Sequence, residues 1–344
     1  MAVSGRIDEI LRVVFALLPV LLFLAALGFL DSFKLVSQKR VGGALAAGAM
    51  AAAICYGINT MVFRYFPNSQ ELYIHFGAPV VEELAKSAFW IFLIATARVA
   101  FMVDSAICGF AVGAGFALIE NILYLEVLAG RGLAVWLLRG LGTAIMHGGA
   151  AAIGAIISVY LSESRQWSGA RQFGPGLLAA MMLHSFFNQG VLSPAASTAA
   201  AAVGLPLIFI MVFYFSERSL RRWLSGKLDR DIEIIAMIAS GEFKRTPQGA
   251  YLMSLNEAFP PEVRGDMLTL LHLTLELSAR AKGDLMRREA GLEVPPDPDV
   301  ESAFKELRYL EKSIGPTGML AIRPLLSQTQ RDLWEMHHLG RQLR

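Results

Sequence analysis

The sequence predicts an all-α protein: a polytopic transmembrane helical bundle of about seven spans over residues 1–216, then a small helical cytoplasmic domain over residues 217–344. Three observations predict it. Apolar residues make up 55% of the chain and charged residues only 17%, where an ordinary soluble domain is about 25% charged. Mean hydropathy is +0.49. The charge is also uneven: up to about Ser216 apolar runs alternate with short polar links, and beyond it Arg, Lys, Glu and Asp are frequent.

The candidate spans cover roughly residues 11–30, 42–63, 71–96, 101–126, 133–161, 174–192 and 196–216, each near the ~20 residues that cross a bilayer. The first follows Arg6 and Arg12. It is long for a signal-peptide core and lacks a small-x-small site before Asp31, so it reads as a retained helix, with a signal peptide as the alternative. The second, rich in Ala and Gly, is the weakest lipid-facing helix. Gly109, Gly113 and Gly115 on the fourth span, and Gly148, Gly149 and Gly154 on the fifth, read as sites of close helix packing. In the tail, Asp297-Pro298 is a helix start, and Val300, Phe304, Leu307 and Leu310 follow at helical spacing. Further apolar stretches cover residues 267–285 and 319–339. Pro260-Pro261 and Pro295-Pro296 mark breaks, and Pro324 kinks or starts a helix. His337 and His338 read as solvent-facing.

Charge placement orients the bundle. Lys34, Lys39, Arg40, Arg98, Arg165, Arg171, Arg218, Arg221, Arg222 and Lys227 fall on one side of a seven-span chain, and Arg6, Arg12, Arg64 and Arg131 on the other. The positive-inside rule then puts the N-terminus outside and the C-terminal domain in the cytoplasm. A net charge of +2 without a long basic block speaks against a nucleic-acid partner. Cys55 and Cys108 lie in apolar runs without metal-ligand or redox spacing, and read as small buried residues.

Polar residues of catalytic type interrupt the apolar runs in four places: Glu82-Glu83 with Lys86, Glu120-Asn121 after Phe116, His147, and His184 with Asn188. Ionisable groups within a membrane are costly and usually line a functional cavity. Lys86 lies within helical reach of Glu83 and Glu82, and a carboxylate kept ionised by a lysine can act as a general base; a structural ion pair between helices is the other reading. Phe116 and Glu120 share a helix face, as do His184 and Asn188, whose amide can orient the ring or donate to an oxyanion. Interhelical hydrogen bonding is the alternative for Glu120 and Asn121, and a satisfied core histidine for His147. At 1.5 Å per residue, Glu83, Glu120, His147 and His184 all lie roughly 10–20 Å from the outer end of their span, so four helices carry polar groups to one half of the bilayer.

These motifs, Val81-Glu82-Glu83-Leu84-Ala85-Lys86, Phe116-Ala117-Leu118-Ile119-Glu120-Asn121, His147 and His184-Ser185-Phe186-Phe187-Asn188, each on its own helix and in this order, resemble the PrsW family of intramembrane proteases. That family lies within the larger superfamily of CAAX-processing and bacteriocin-processing proteases. The resemblance covers about residues 79–188 and not the tail. It implies an integral protein of the bacterial inner membrane that cleaves a membrane-anchored protein, such as an anti-sigma factor. It also implies that Glu83, or its neighbour Glu82, activates a water, and that His147 and His184 complete the site with His184 and Asn188 near the oxyanion. Lys86, Phe116 and Asn121 would support them. Glu120 stands where many prenyl-protein proteases carry a His, which favours the PrsW branch and leaves its role open. Two His and nearby Glu suit Zn²⁺, yet HExxH is absent and a metal-free site fits equally well; the cofactor stays open, with a slight preference for none. The tail's apolar periodicity suggests a module that docks a cytoplasmic partner. Two other functions compete: a proton-coupled transporter, which would more often show internal repeats or broken helices, and a non-catalytic membrane sensor or scaffold.

Overall fold

The structure, a computed structural model, describes residues 2–31, 33–127, 130–295, 297–326 and 329–340. Among these the only regular structure is helical, as the sequence predicts. The chain forms two compact units, Met1–Glu217 and Arg218–Arg344.

The first unit contains α1 (Ala2–Leu30), α2 (Gln38–Tyr65), a single turn α3 (Gln70–Leu72), α4 (Ala78–Ala95), α5 (Met102–Val127), α6 (Leu133–Arg165), α7 (Ala170–Asn188) and the first part of α8 (Pro194–Ser240), which continues into the second unit. α5 and α6 are the central pair: 83% and 72% of their most apolar windows are buried, against 22–28% for α1, α2 and α8. Glycines bring the pair together. A Cβ on Gly113 would stand 2.1 Å from the carbonyl oxygen of His147, so only a glycine lets α5 lie against α6 at the histidine. Side chains cap the ends. Ser37 accepts from the Arg40 amide at the start of α2, and Asp104 accepts from the amides of Phe101 and Ala100 at the start of α5. Cys55 and Cys108 are buried thiols, with no disulfide between them.

Among the described residues, five helices are long and apolar enough to cross a membrane: Ile10–Phe29, Gln38–Tyr65, Met102–Leu125, Leu133–Arg165 and Pro194–Ser240. α4 and α7, which lie in the third and sixth expected spans, fall outside this group because they carry Glu82, Glu83 and Lys86, and Arg171, Gln172 and His184. The expected span 71–96 is composite. A π-helical turn, Tyr73–Gly77, precedes α4, and Pro79 sits in the first turn of that helix. The expected end of the last span near residue 216 falls inside α8, which runs on to Ser240.

In the second unit, the end of α8 is followed by α9 (Pro247–Ser254), α10 (Pro261–Glu289), α11 (Pro298–Ile322) and α12 (Gln330–Gly340). Leu270, Leu271, Leu277, Val300, Leu310 and Leu339 belong to its core. Asp297 caps α11 through its carboxylate and the Asp299 amide, and Gly315, at φ 72°, breaks that helix before Pro316. Pro296 lies outside the described residues. α11 ends before Pro324, which starts no helix. His337 is exposed, whereas His338 stacks on Trp334 with ring centroids 4.7 Å apart. Lys282 is fully buried between Asp231 at 2.8 Å and Glu335 at 2.9 Å, with Ser278 Oγ at 2.9 Å from the Asp231 carboxyl and 2.7 Å from that of Glu335.

Candidate active site

The site is built on α4, where Glu82 and Glu83 project in different directions. Glu83 turns inward and is 1% exposed. Lys86, one turn on, reaches back and places Nζ 2.5 Å from Glu83 Oε1. The same Nζ lies 2.8 Å from Nδ1 of His147 on α6 and 4.7 Å from the centre of the Phe116 ring on α5. Three elements thus converge on one ammonium, which is held by a carboxylate, an imidazole and an aromatic face.

Each histidine rests on a carboxylate. His184 Nδ1 lies 2.8 Å from Glu83 Oε1, so Glu83 bridges Lys86 and His184. His147 Nε2 lies 2.7 Å from Glu120 Oε2. A carboxylate only accepts, so these contacts place a proton on Nδ1 of His184 and on Nε2 of His147. The two rings meet edge to face at 4.9 Å. His184 Nε2 is then turned toward Glu82 Oε2, 3.8 Å away. One ligand atom from each of Glu82, His147 and His184 lies within 4.8 Å of the others.

Two residues of the motifs stand elsewhere. Asn188 donates to the Ile74 carbonyl at 3.1 Å; the His184 ring takes its orientation from Glu83. Asn121 is buried and donates to the Ala16 carbonyl of α1 at 2.9 Å, an interhelical tie. Three neighbours of the site were not singled out from the sequence. Arg139 on α6 pairs with Glu120 at 3.2 Å and stacks at 3.5 Å over Tyr124. Asn59 on α2 donates to Glu82 Oε1 at 3.2 Å, and Tyr73 donates to Asn59 Oδ1 at 2.6 Å. Arg139 carried a signal, as a charge two helical turns before His147 in an apolar run. Asn59 and Tyr73 carried none, since nothing local connects them to Glu82.

Apolar helices enclosing a cluster of histidines and carboxylates define an integral membrane protein with a polar site inside its bundle. The profile of the PrsW family intramembrane metalloproteases matches residues 37–216, more than half of the chain, and the chain belongs to that family. It is therefore an intramembrane protease by family. The match contains every residue of the cluster and leaves out α1 and the second unit. Comparison with curated proteins returns no match, and neither does comparison with solved structures.

Proposed function

We propose that the chain is an endopeptidase that cleaves a membrane-tethered protein near the extracytoplasmic face, with Glu82, His147 and His184 at the reaction centre. The convergence of these three side chains within 4.8 Å carries the proposal. Their chemistry fits a catalytic Zn²⁺, for which two imidazoles and a carboxylate are an ordinary ligand set. Each imidazole is also backed by a carboxylate, as outer-shell partners of metal ligands are. Among the described residues, Glu82, Glu83 and Glu120 face two side-chain cations, Lys86 and Arg139, which leaves negative charge for a divalent ion to balance. Bound there, Zn²⁺ would polarise the peptide carbonyl and acidify a water.

The rest belongs to the protein. Glu83 holds the His184 proton at Nδ1 and turns Nε2 to the centre. Glu120 does the same for His147 from the other side of its ring, and Arg139 steadies Glu120. One contact favours a metal-free centre instead: Lys86 Nζ sits on His147 Nδ1, the nitrogen that a metal would take. In that reading Glu82 Oε2, the carboxylate oxygen facing His184 Nε2, takes the proton of the attacking water.

The test uses full-length protein and a membrane-anchored reporter. Glu82→Gln, His147→Ala and His184→Ala each abolish cleavage at unchanged membrane level, and a Zn²⁺-selective chelator abolishes it in the wild type. Cleavage that survives Glu82→Gln overturns the assignment. Cleavage that survives the chelator moves the mechanism to the metal-free form. Comparing membrane-protein fragments between cells carrying wild-type and Glu82→Gln protein would identify the substrate, an anti-sigma factor being the class that the family resemblance suggests.

A further inference from the structure

The π-helical turn before α4 has a traceable cause. The α-helical partner of the His75 carbonyl would be the N–H of residue 79, which proline lacks. That of the Ile74 carbonyl would be the Ala78 N–H, which instead goes to Tyr73 in the wider π pattern. Both freed carbonyls are taken up by α7: Ser185 Oγ donates to His75 at 2.6 Å and Asn188 Nδ2 to Ile74 at 3.1 Å. The helix that presents His184 therefore also grips the turn that precedes Glu82.

That turn presents Tyr73. Its ring lies over Gly77, where an added Cβ would stand 2.3 Å from the ring carbon Cδ2. Gly77 has ordinary α-helical dihedrals, φ −68° and ψ −49°, so its lack of a side chain serves the ring and not the backbone. The hydroxyl then bonds Asn59 at 2.6 Å, and Asn59 bonds Glu82 Oε1 at 3.2 Å. With Glu82 ionised the order of donors is forced. The carboxylate only accepts, so the Asn59 NH₂ faces Glu82 and its oxygen faces the tyrosine. One oxygen of Glu82 is thereby fixed, and the other is the one directed at His184 Nε2.

We propose that Tyr73 and Asn59 are positioning residues that aim the Glu82 carboxylate at the two histidines, and that Ser185 and Asn188 hold the π turn so that they can. This rests on the role assigned to Glu82 above. The His-x-x-x-Asn motif then acts at two places. His184 joins the centre, and Asn188 supports the turn that orients its partner carboxylate.

The test uses full-length protein in detergent, with Zn²⁺ affinity measured by chelator competition and kcat and KM measured on the membrane-anchored reporter. Tyr73→Phe keeps the ring and removes one hydroxyl. Asn59→Ala removes the middle of the relay. Each should weaken Zn²⁺ binding and lower kcat about tenfold, the lower end for outer-shell partners of a metal site, with KM unchanged. The double variant should be no worse than the weaker single one, because both act through one carboxylate. Gly77→Ala should match Tyr73→Phe even though alanine favours the helix; a merely structural role for the turn would leave it active. Wild-type behaviour of Tyr73→Phe overturns the proposal, as do additive losses or losses that track a fall in unfolding temperature. Absence of Zn²⁺ binding in the wild type refutes the metal reading alone, and the same non-additivity must then appear in kcat. A wild type that neither binds Zn²⁺ nor cleaves overturns the relay together with the function it serves.

Discussion

The Lys86 ammonium is shared by Glu83, His147 and the face of Phe116, and is wholly buried. Removing one member of a buried ionic cluster leaves its partners uncompensated. Lys86→Met should therefore leave the Glu83 charge uncompensated and abolish cleavage. It also frees His147 Nδ1 and removes a positive charge, so Zn²⁺ affinity should rise. A Lys86→Met protein that binds Zn²⁺ more weakly than wild type would place Lys86 among the groups that build the metal site. In the second unit, burial pushes the Glu335 carboxyl from 4.5 up to about 7, against the opposing pull of Lys282 and Ser278. The folded state thus holds this proton more tightly than the unfolded chain. Its contribution, on the order of 3 kcal/mol, is full below the unfolded value near 4.5 and is lost as pH rises through about 7. Glu335→Gln has no such proton to lose. The unfolding temperature of the variant should gain on that of the wild type between pH 5 and pH 8, and a constant gap would show that Glu335 does not titrate in this range.

At the scale of elements, the site depends on how closely α5 and α6 approach. A methyl group on Gly113 would stand 2.1 Å from the His147 carbonyl oxygen, a backbone atom that cannot rotate aside. Gly113→Ala should push the helices apart at the histidine, at about 1–3 kcal/mol of overpacking cost. The expected result is a lowered unfolding temperature together with lost cleavage; a protein of wild-type stability and activity would mean that the two helices are not in contact there. α5 contributes Phe116 and Glu120 to the site on one face, and α6 contributes Arg139 and His147. The same approach therefore sets both the tilted contact of the Phe116 and His147 rings, with centroids 4.7 Å apart, and the bond from His147 to Glu120.

For the whole molecule, the outward surface of the first unit is apolar: Leu22, Met61, Val203, Leu207 and Tyr214 are all exposed. A surface of this kind suits hydrocarbon and would drive aggregation in water. Among the described residues, five helices qualify as spans by length and composition. We propose that α4 and α7 cross with them, since they carry the site among helices long and apolar enough to span. Seven crossings with the observed basic residues put Arg222 in the cytoplasm and Asn68 outside. Reporters fused after Arg222 and near Asn68 should signal accordingly. An extracytoplasmic signal from the first would remove the seven-crossing topology, and with it the outer location of the site.

Local pattern was enough for the helices, their class and the groups that could do chemistry. Apolar runs of bilayer length have few alternatives to helix, and an ionisable residue inside one is conspicuous without knowing its neighbours. The reach of Lys86 to Glu83 follows from helical spacing alone, as does the cap at Asp297. The division of labour between Glu82 and Glu83 does not. Adjacent residues on a helix point apart, and only the packing of α4 against α6 and α7 decides that Glu83 is enclosed by Lys86 and His184 while Glu82 is directed at His184 Nε2. Asn188 and Asn121 look like site residues by spacing, yet their amides answer to the carbonyls of Ile74 and Ala16. Those partners are 114 and 105 residues away along the chain. The relay from Tyr73 through Asn59 to Glu82 lay beyond the sequence for the same reason. Hydrogen-bond partners are chosen by distance in space, and periodicity along a chain records only which face a residue occupies, not what the fold brings against it.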